Sequence, residues 1–247
     1  MRRALLVLAL WAVPHLAWGA IVFDAAGEAA LGFSVSLPLS FTVGAGADRV
    51  LLVMAMNDQS DATTFPTGCT YNSIVMSSHT AFTASISHEA QFFYLVLGTS
   101  ASPTTANIQC NYTNGNSKIA LVAASYSGVS QTTPILTPTN SQGTSSNPAT
   151  WTIASTTGNL VVVLWFSATV GVTTPVPVAG ETIRVSASSG AVSRYVMDEP
   201  GAPSVTSSAT MQFADDWYGT AVNLVATGAA PPGGAATRSR LLLGVGQ

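Results

Sequence analysis

The chain has 247 residues, of which 47% are hydrophobic and only 8% charged, against about 25% charged in an average soluble domain. Ser and Thr make up nearly a quarter of the sequence, so hydroxyls rather than charges must coat its surface. This composition argues against intrinsic disorder, which needs low hydrophobicity and high net charge. Eight basic against eleven acidic residues leave no patch able to hold a nucleic-acid backbone.

At the N-terminus, Arg2 and Arg3 precede the apolar run ALLVLALWAV (Ala4–Val13), Pro14 breaks it, and Ala17-Trp18-Gly19 offers small residues for cleavage. The pattern predicts a secretory signal peptide over residues 1–19. The alternative is an uncleaved membrane anchor, although the run is short for a bilayer. The expected location is extracellular or cell-surface, with the membrane met only during export. The mature domain is expected over residues 20–227. In an exported protein, Cys69 and Cys110 predict one disulfide; two buried thiols are the alternative.

From residue 20 onward the strand signals recur and helix signals do not. Runs rich in Val, Ile, Thr, Phe and Tyr, parted by Gly, Pro, Asn and Ser, predict strands over 21–25, 39–43, 49–56, 70–76, 91–97, 106–113 and 118–126. Further strands are expected over 150–155, 159–168, 182–188, 192–197, 210–214 and 218–227. Asn114-Gly115 supplies the positive φ angles of a type I′ turn and predicts a hairpin between its flanking strands. RVLLVMAM (Arg49–Met56) and NLVVVLWFSA (Asn159–Ala168) are apolar on both pleat faces, the mark of strands in mid-sheet with both sides covered. The expectation is an all-β fold: a single two-sheet antiparallel sandwich of about a dozen strands. Ser127–Thr150 reads as an extended crossing between sheets or a surface loop. Residues 228–247 read as a flexible Pro/Gly/Ala linker with a basic, apolar C-terminal tail.

The phrases AIVFDAAG, SFTVGAGADRVLLVMAM, TYNSIVM, FFYLVLGTSASPTTANIQC, ALVAASYSGVSQTTPI and DDWYGTAVNLVATG follow one another in the chain. In this order they resemble a jelly-roll-like β-sandwich domain of secreted and surface bacterial proteins and of some phage-associated proteins. The resemblance spans nearly all of residues 20–227 and implies a structural, adhesive or glycan-binding role. Ser73 stands where that family usually has Gly after TYN, and the cysteine pair is a local addition to the pattern. Fold by itself does not specify chemistry.

Catalytic motifs are scarce. No G-x-S-x-G elbow occurs, and past the signal segment the histidines are His79 and His88, expected at the surface or a strand edge. His88-Glu89 does not complete H-E-x-x-H, because Phe92 holds the second histidine position. Asp198-Glu199 and Asp215-Asp216 form the densest acidic group; they are read either as two solvated loop clusters or, if the loops bring them together, as ligands for Ca²⁺, and no other cofactor is expected. Glu28, Glu89, Glu181 and Glu199 show no pairing that glycoside hydrolysis would need. Trp165 lies in the most apolar strand and belongs to the core. Trp151, Trp217 and Tyr218 flank strands, where they either present flat faces to sugars or close the ends of the core. The reading is a non-catalytic structural or adhesive module, acting by self-assembly (homo-oligomer or filament) or by binding a surface glycan or protein. Alternatives are a carbohydrate-binding module and a phage virion-associated structural protein.

Overall fold

In the computed structural model, the described residues are 20–58, 66–79, 82–85, 88–167, 175–189 and 192–228. The expected signal peptide and almost all of the expected tail lie outside them. The first run of strands is β1 (Val22–Leu31), β2 (Ser36–Val43), β3 (Gly46–Asp58), β4 (Pro66–Tyr71), β5 (Ile74–Val75), β6 (Ser77–Ser78), β7 (Phe82–Ser85), β8 (His88–Ser100), β9 (Thr104–Tyr112) and β10 (Lys118–Ser127). The second run is β11 (Thr139–Ser146), β12 (Ala149–Ile153), β13 (Leu160–Ser167), β14 (Val176–Pro177), β15 (Thr182–Ser189), β16 (Val192–Pro200), β17 (Val205–Thr210) and β18 (Asp215–Leu224). No helix occurs among the described residues.

These eighteen strands build four antiparallel sheets, not the single two-sheet sandwich of about a dozen strands expected from sequence. The orders are β1-β10-β3-β8-β6 (with β7 also on β8), β2-β9-β4-β5, β11-β18-β13-β16-β15, and β12-β17-β14. Three apolar layers glue the four sheets into a stack. Alternate residues of β3 explain the arrangement: Leu51, Val53 and Ala55 pack toward the β2-β9-β4 sheet, while Val50, Leu52, Met54 and Met56 pack the other way. β13 does the same, sending Val161, Val163 and Trp165 outward toward β12-β17 and Val162, Leu164 and Phe166 inward against β3 and β10. Two-sided strands occur in both runs because two sheets are central, each covered on both faces.

The two runs repeat one topology. β1-β10-β3-β8 over β2-β9-β4 matches β11-β18-β13-β16 over β12-β17-β14, position for position. Sequence follows: Phe41-Thr42-Val43 and Trp151-Thr152-Ile153 each precede an apolar strand, Val50–Met54 in one case and Leu160–Leu164 in the other. Thr42 pairs with Thr105 through their Oγ1 atoms at 2.7 Å, and Thr152 pairs with Thr206 at 3.3 Å. Gly128 after β10 and Gly228 after β18 both take positive φ, 74° and 80°.

Polar ties cross the middle layer and lock one half to the other. Arg194 Nε on β16 donates to Glu28 Oε2 on β1 at 2.7 Å, with Arg194 wholly buried. Tyr126 on β10 donates to Asp198 Oδ2 on β16 at 3.0 Å, and the same oxygen receives Arg184 Nε at 2.8 Å. Arg184 also lies over the Phe23 ring, 4.2 Å from its centroid. Burial and the Asp198 carboxylate push the Tyr126 phenol well above its usual range, so it stays a donor.

Several local expectations change. Asn114-Gly115 does not close a hairpin: β9 and β10 belong to different sheets, so this segment arches between layers. The tight two-residue hairpin turn is Asn72-Ser73 between β4 and β5, both with positive φ (50° and 64°). The interval Ser127–Thr150 contains a whole strand, β11, as well as a crossing. The strand expected over 210–214 lies earlier, at β17, with Met211–Ala214 outside any strand.

Candidate functional site

Cys69 and Cys110 face each other across β4 and β9, with Cα atoms 4.1 Å apart, and are joined in a disulfide. Both are buried in the layer between the first two sheets. The bridge closes a sequence separation of 41, which on the chain-entropy model stabilises the native state by about 3–4 kcal/mol.

The aromatic candidates are core residues, which corrects their reading as sugar platforms. Trp151 is 0%, Tyr218 1% and Trp217 5% exposed. Trp151 packs on Trp165 and Trp217, with ring centroids 5.4 and 4.8 Å away, and Trp165 stacks on Tyr195 at 4.1 Å. Gly219 sits directly opposite Trp165, and a Cβ there would collide with the Trp165 Cβ and backbone. Tyr218 packs on the other face of β18, where its ring meets His88 at 5.3 Å; His88 is therefore buried rather than superficial.

The acidic candidates are not brought together, so the expected calcium set is corrected too. Asp198 lies opposite Val162 near one end of β13, whereas Trp217 lies opposite Ser167 at the other end and Asp215 is two residues beyond it. At about 3.3 Å per residue, Asp198 and Asp215 stand at opposite ends of the sheet. Strand alternation separates Asp198 from Glu199 as well, since Asp198 faces the middle layer and Glu199 the outer one. Asp215 accepts from the Ser167 hydroxyl, and Asp216 Oδ1 accepts from Ser145 N–H at 2.7 Å. Among the described residues, no group of three or more His, Cys, Asp or Glu side chains gathers.

Tertiary structure instead sets one of them, Glu199, beside Glu181. Glu181 precedes β15 and accepts from the Ser207 hydroxyl at 2.5 Å, Ser208 N–H at 2.8 Å and Val178 N–H at 3.0 Å. Glu199 meets it from β16. Burial raises the Glu199 carboxyl above its usual range; Ser207 lowers it, and the charge and hydrogen bond of Glu181 raise it further. Through Ser207 and Ser208, Glu181 ties the lead-in to β15 to strand β17 across the outer layer.

The second constellation is at the start of β3. A bulge at Gly46–Val50, with Asp48 at φ 53°, turns Arg49 inward until it is 6% exposed. Its Nε donates to Gly98 O at 3.1 Å, one Nη to Gly44 O at 3.1 Å and the other to Leu97 O at 3.3 Å. Gln131, from the crossing after β10, supports the same corner: its Oε1 accepts from Gly98 N–H at 2.9 Å and its Nε2 donates to Val129 O at 2.8 Å. Tyr71 donates to Thr104 O at 2.6 Å, and burial raises its phenol. Asp24, exposed at a bulge in β1, accepts from Gly44 N–H at 2.7 Å and the Ser125 hydroxyl at 2.6 Å. Arg49, Tyr71, Asn72, Ile74, Leu97 and Thr104 line a cavity of about 180 Å³. Neither constellation is written in a local motif; the one sequence signal is a lone arginine opening an otherwise apolar strand.

No family model matches this chain, and no curated protein is similar to it.

Proposed function

We propose that the chain is an exported, non-catalytic structural module that assembles with copies of itself or grips another surface through its outer sheets. Each half reads as a jelly roll, and the two are fused back to back. One observation carries the proposal: the outermost faces are neutral hydroxyl and amide surfaces. On β2 and β9 the outward side chains include Ser40, Thr42, Thr105, Asn107 and Asn111; on β12 and β17 they are Thr150, Thr152, Thr206, Ser208 and Thr210. The buried charged groups Arg194, Asp198 and Glu89 have partners within the fold. Contact with a neutral face desolvates few charges. Strands β2 and β12 each pair on one side only, which offers backbone donors and acceptors for strand addition. On β5, Ile74 and Val75 are also exposed.

The test is molar mass by light scattering together with negative-stain microscopy on residues 20–247 with the disulfide intact. A fixed oligomer, rings or fibres supports assembly, and Val75→Lys should then shift the population toward smaller species. A protein that stays monomeric when concentrated and adsorbs to no surface would overturn the proposal.

A further inference from the structure

We propose that the Arg49 cavity is a binding site for a carboxylate group, the acidic head of a uronic sugar or of a peptide C-terminus. The proposal concerns a pocket, not the outer faces, and stands whether or not the chain assembles. A guanidinium carries five N–H donors in a planar fork; three bonds to carbonyls occupy Arg49, which leaves two N–H groups beyond those bonds on a residue that lines the cavity. A buried charge is costly unless it is paired, yet the described ion pairs are those of Arg184 and Arg194. The carboxylates flanking this corner are engaged elsewhere, Asp24 by Gly44 N–H and the Ser125 hydroxyl and Asp48 by the Thr227 hydroxyl.

The repeat shows that folding does not demand this charge. At the matching position before β13 stands Asn159, whose carbonyl accepts from Gly201 N–H at 2.9 Å and whose Oδ1 accepts from Ala226 N–H at 3.2 Å. A neutral amide closes that corner, so the positive charge of Arg49 is available for a ligand. The fork suits a carboxylate bidentately, Tyr71 and Asn72 add polar lining, and Ile74 and Leu97 give the rest of the ligand an apolar wall.

The experiment is a titration of the ¹⁵N-labelled mature chain with acetate, glucuronate and acetylglycine, at constant ionic strength in chloride, with glucose as the neutral control. The Arg49 Nε–H and the Gly98 and Asn72 amides should shift saturably with all three acids and not with glucose. Tighter binding of glucuronate identifies an acidic polysaccharide as the source; tighter binding of acetylglycine identifies a peptide terminus. Arg49→Gln should weaken acetate by at least about tenfold, the scale of one lost charge-assisted bond. Should that variant fail to fold, Ile74→Glu places a tethered carboxylate at the mouth from an exposed position and should abolish the acetate shifts with the fold intact. Absence of saturation with every acid, or wild-type acetate binding in Ile74→Glu, would overturn the proposal.

Discussion

In the first half, a disulfide between neighbouring strands holds the outer sheet, over a layer built from Leu37, Phe41, Ile108, Tyr71 and Tyr112. In the second half the matching layer has no cysteine; Trp151, Trp165, Tyr195 and Trp217 fill it, and the Glu181–Glu199 pair clips its edge. The same strand order thus tolerates two unlike solutions to one problem, anchoring a thin outer sheet to a thick central one. A covalent staple acts largely by restricting the unfolded chain. The indole cluster acts in the native state, through buried apolar area and ring contacts.

That contrast can be broken from either side. The largest effect is expected from Trp151→Ala, which empties the centre of the second outer layer and should cost about 4 kcal/mol. Calorimetry should show the loss as an early transition confined to the second half. Replacing Cys69 and Cys110 together by Ala should cost about 3–4 kcal/mol, with the first half melting earlier. If either change lowers both halves equally, the middle layer couples them more tightly than either outer layer is held.

Arg194 is one polar tie of that middle layer. Glu28→Ala removes the carboxylate paired with a fully buried guanidinium and should cost about 3 kcal/mol; adding Arg194→Met should recover part of the loss and separate the two melting transitions. No recovery in the double variant would mean that Glu28 acts through something other than this pair.

A smaller effect tests the clip. Native Glu199 holds its proton more tightly than the unfolded chain does, because its carboxyl lies above the ordinary value of 4.5. Its contribution is therefore complete at pH below 4.5 and is lost as pH rises through the raised value. Melting temperatures measured across that range should fall with pH in the wild type and flatten in Glu199→Gln. The smallest effect expected is a gain: Ser73→Gly removes a side chain from a positive-φ position (64°) and should stabilise the first half by about 0.5–1 kcal/mol, read from denaturant midpoints.

Much of this was legible locally. The all-β class, the disulfide partners and the two-sided character of β3 and β13 follow from composition, cysteine count and apolar runs. What escaped notice has specific causes. Strand β11, TNSQGTSS, carries no apolar periodicity because it lies at a sheet edge. In β17 the inward residues include Ser207 and Ala209, too small to announce a buried face. The repeat is visible in Phe41-Thr42-Val43 and Trp151-Thr152-Ile153 only once the strands that follow are aligned as well. The site escaped most completely: Arg49, Gly98 and Gln131 are far apart in the chain, and only the meeting of β3, β8 and the crossing after β10 brings them together.

The sequence by itself determined the strongly apolar strands, because side-chain alternation and turn residues act over a few positions. It also determined that some strands must be covered on both faces, since no exposed surface would accept such runs. Only the tertiary structure decided how many sheets supply that cover, which way each Trp faces, and which carboxylates and arginines meet. Those outcomes depend on contacts between distant segments, where the cost of closing loops and burying charge is balanced against the packing of whole layers.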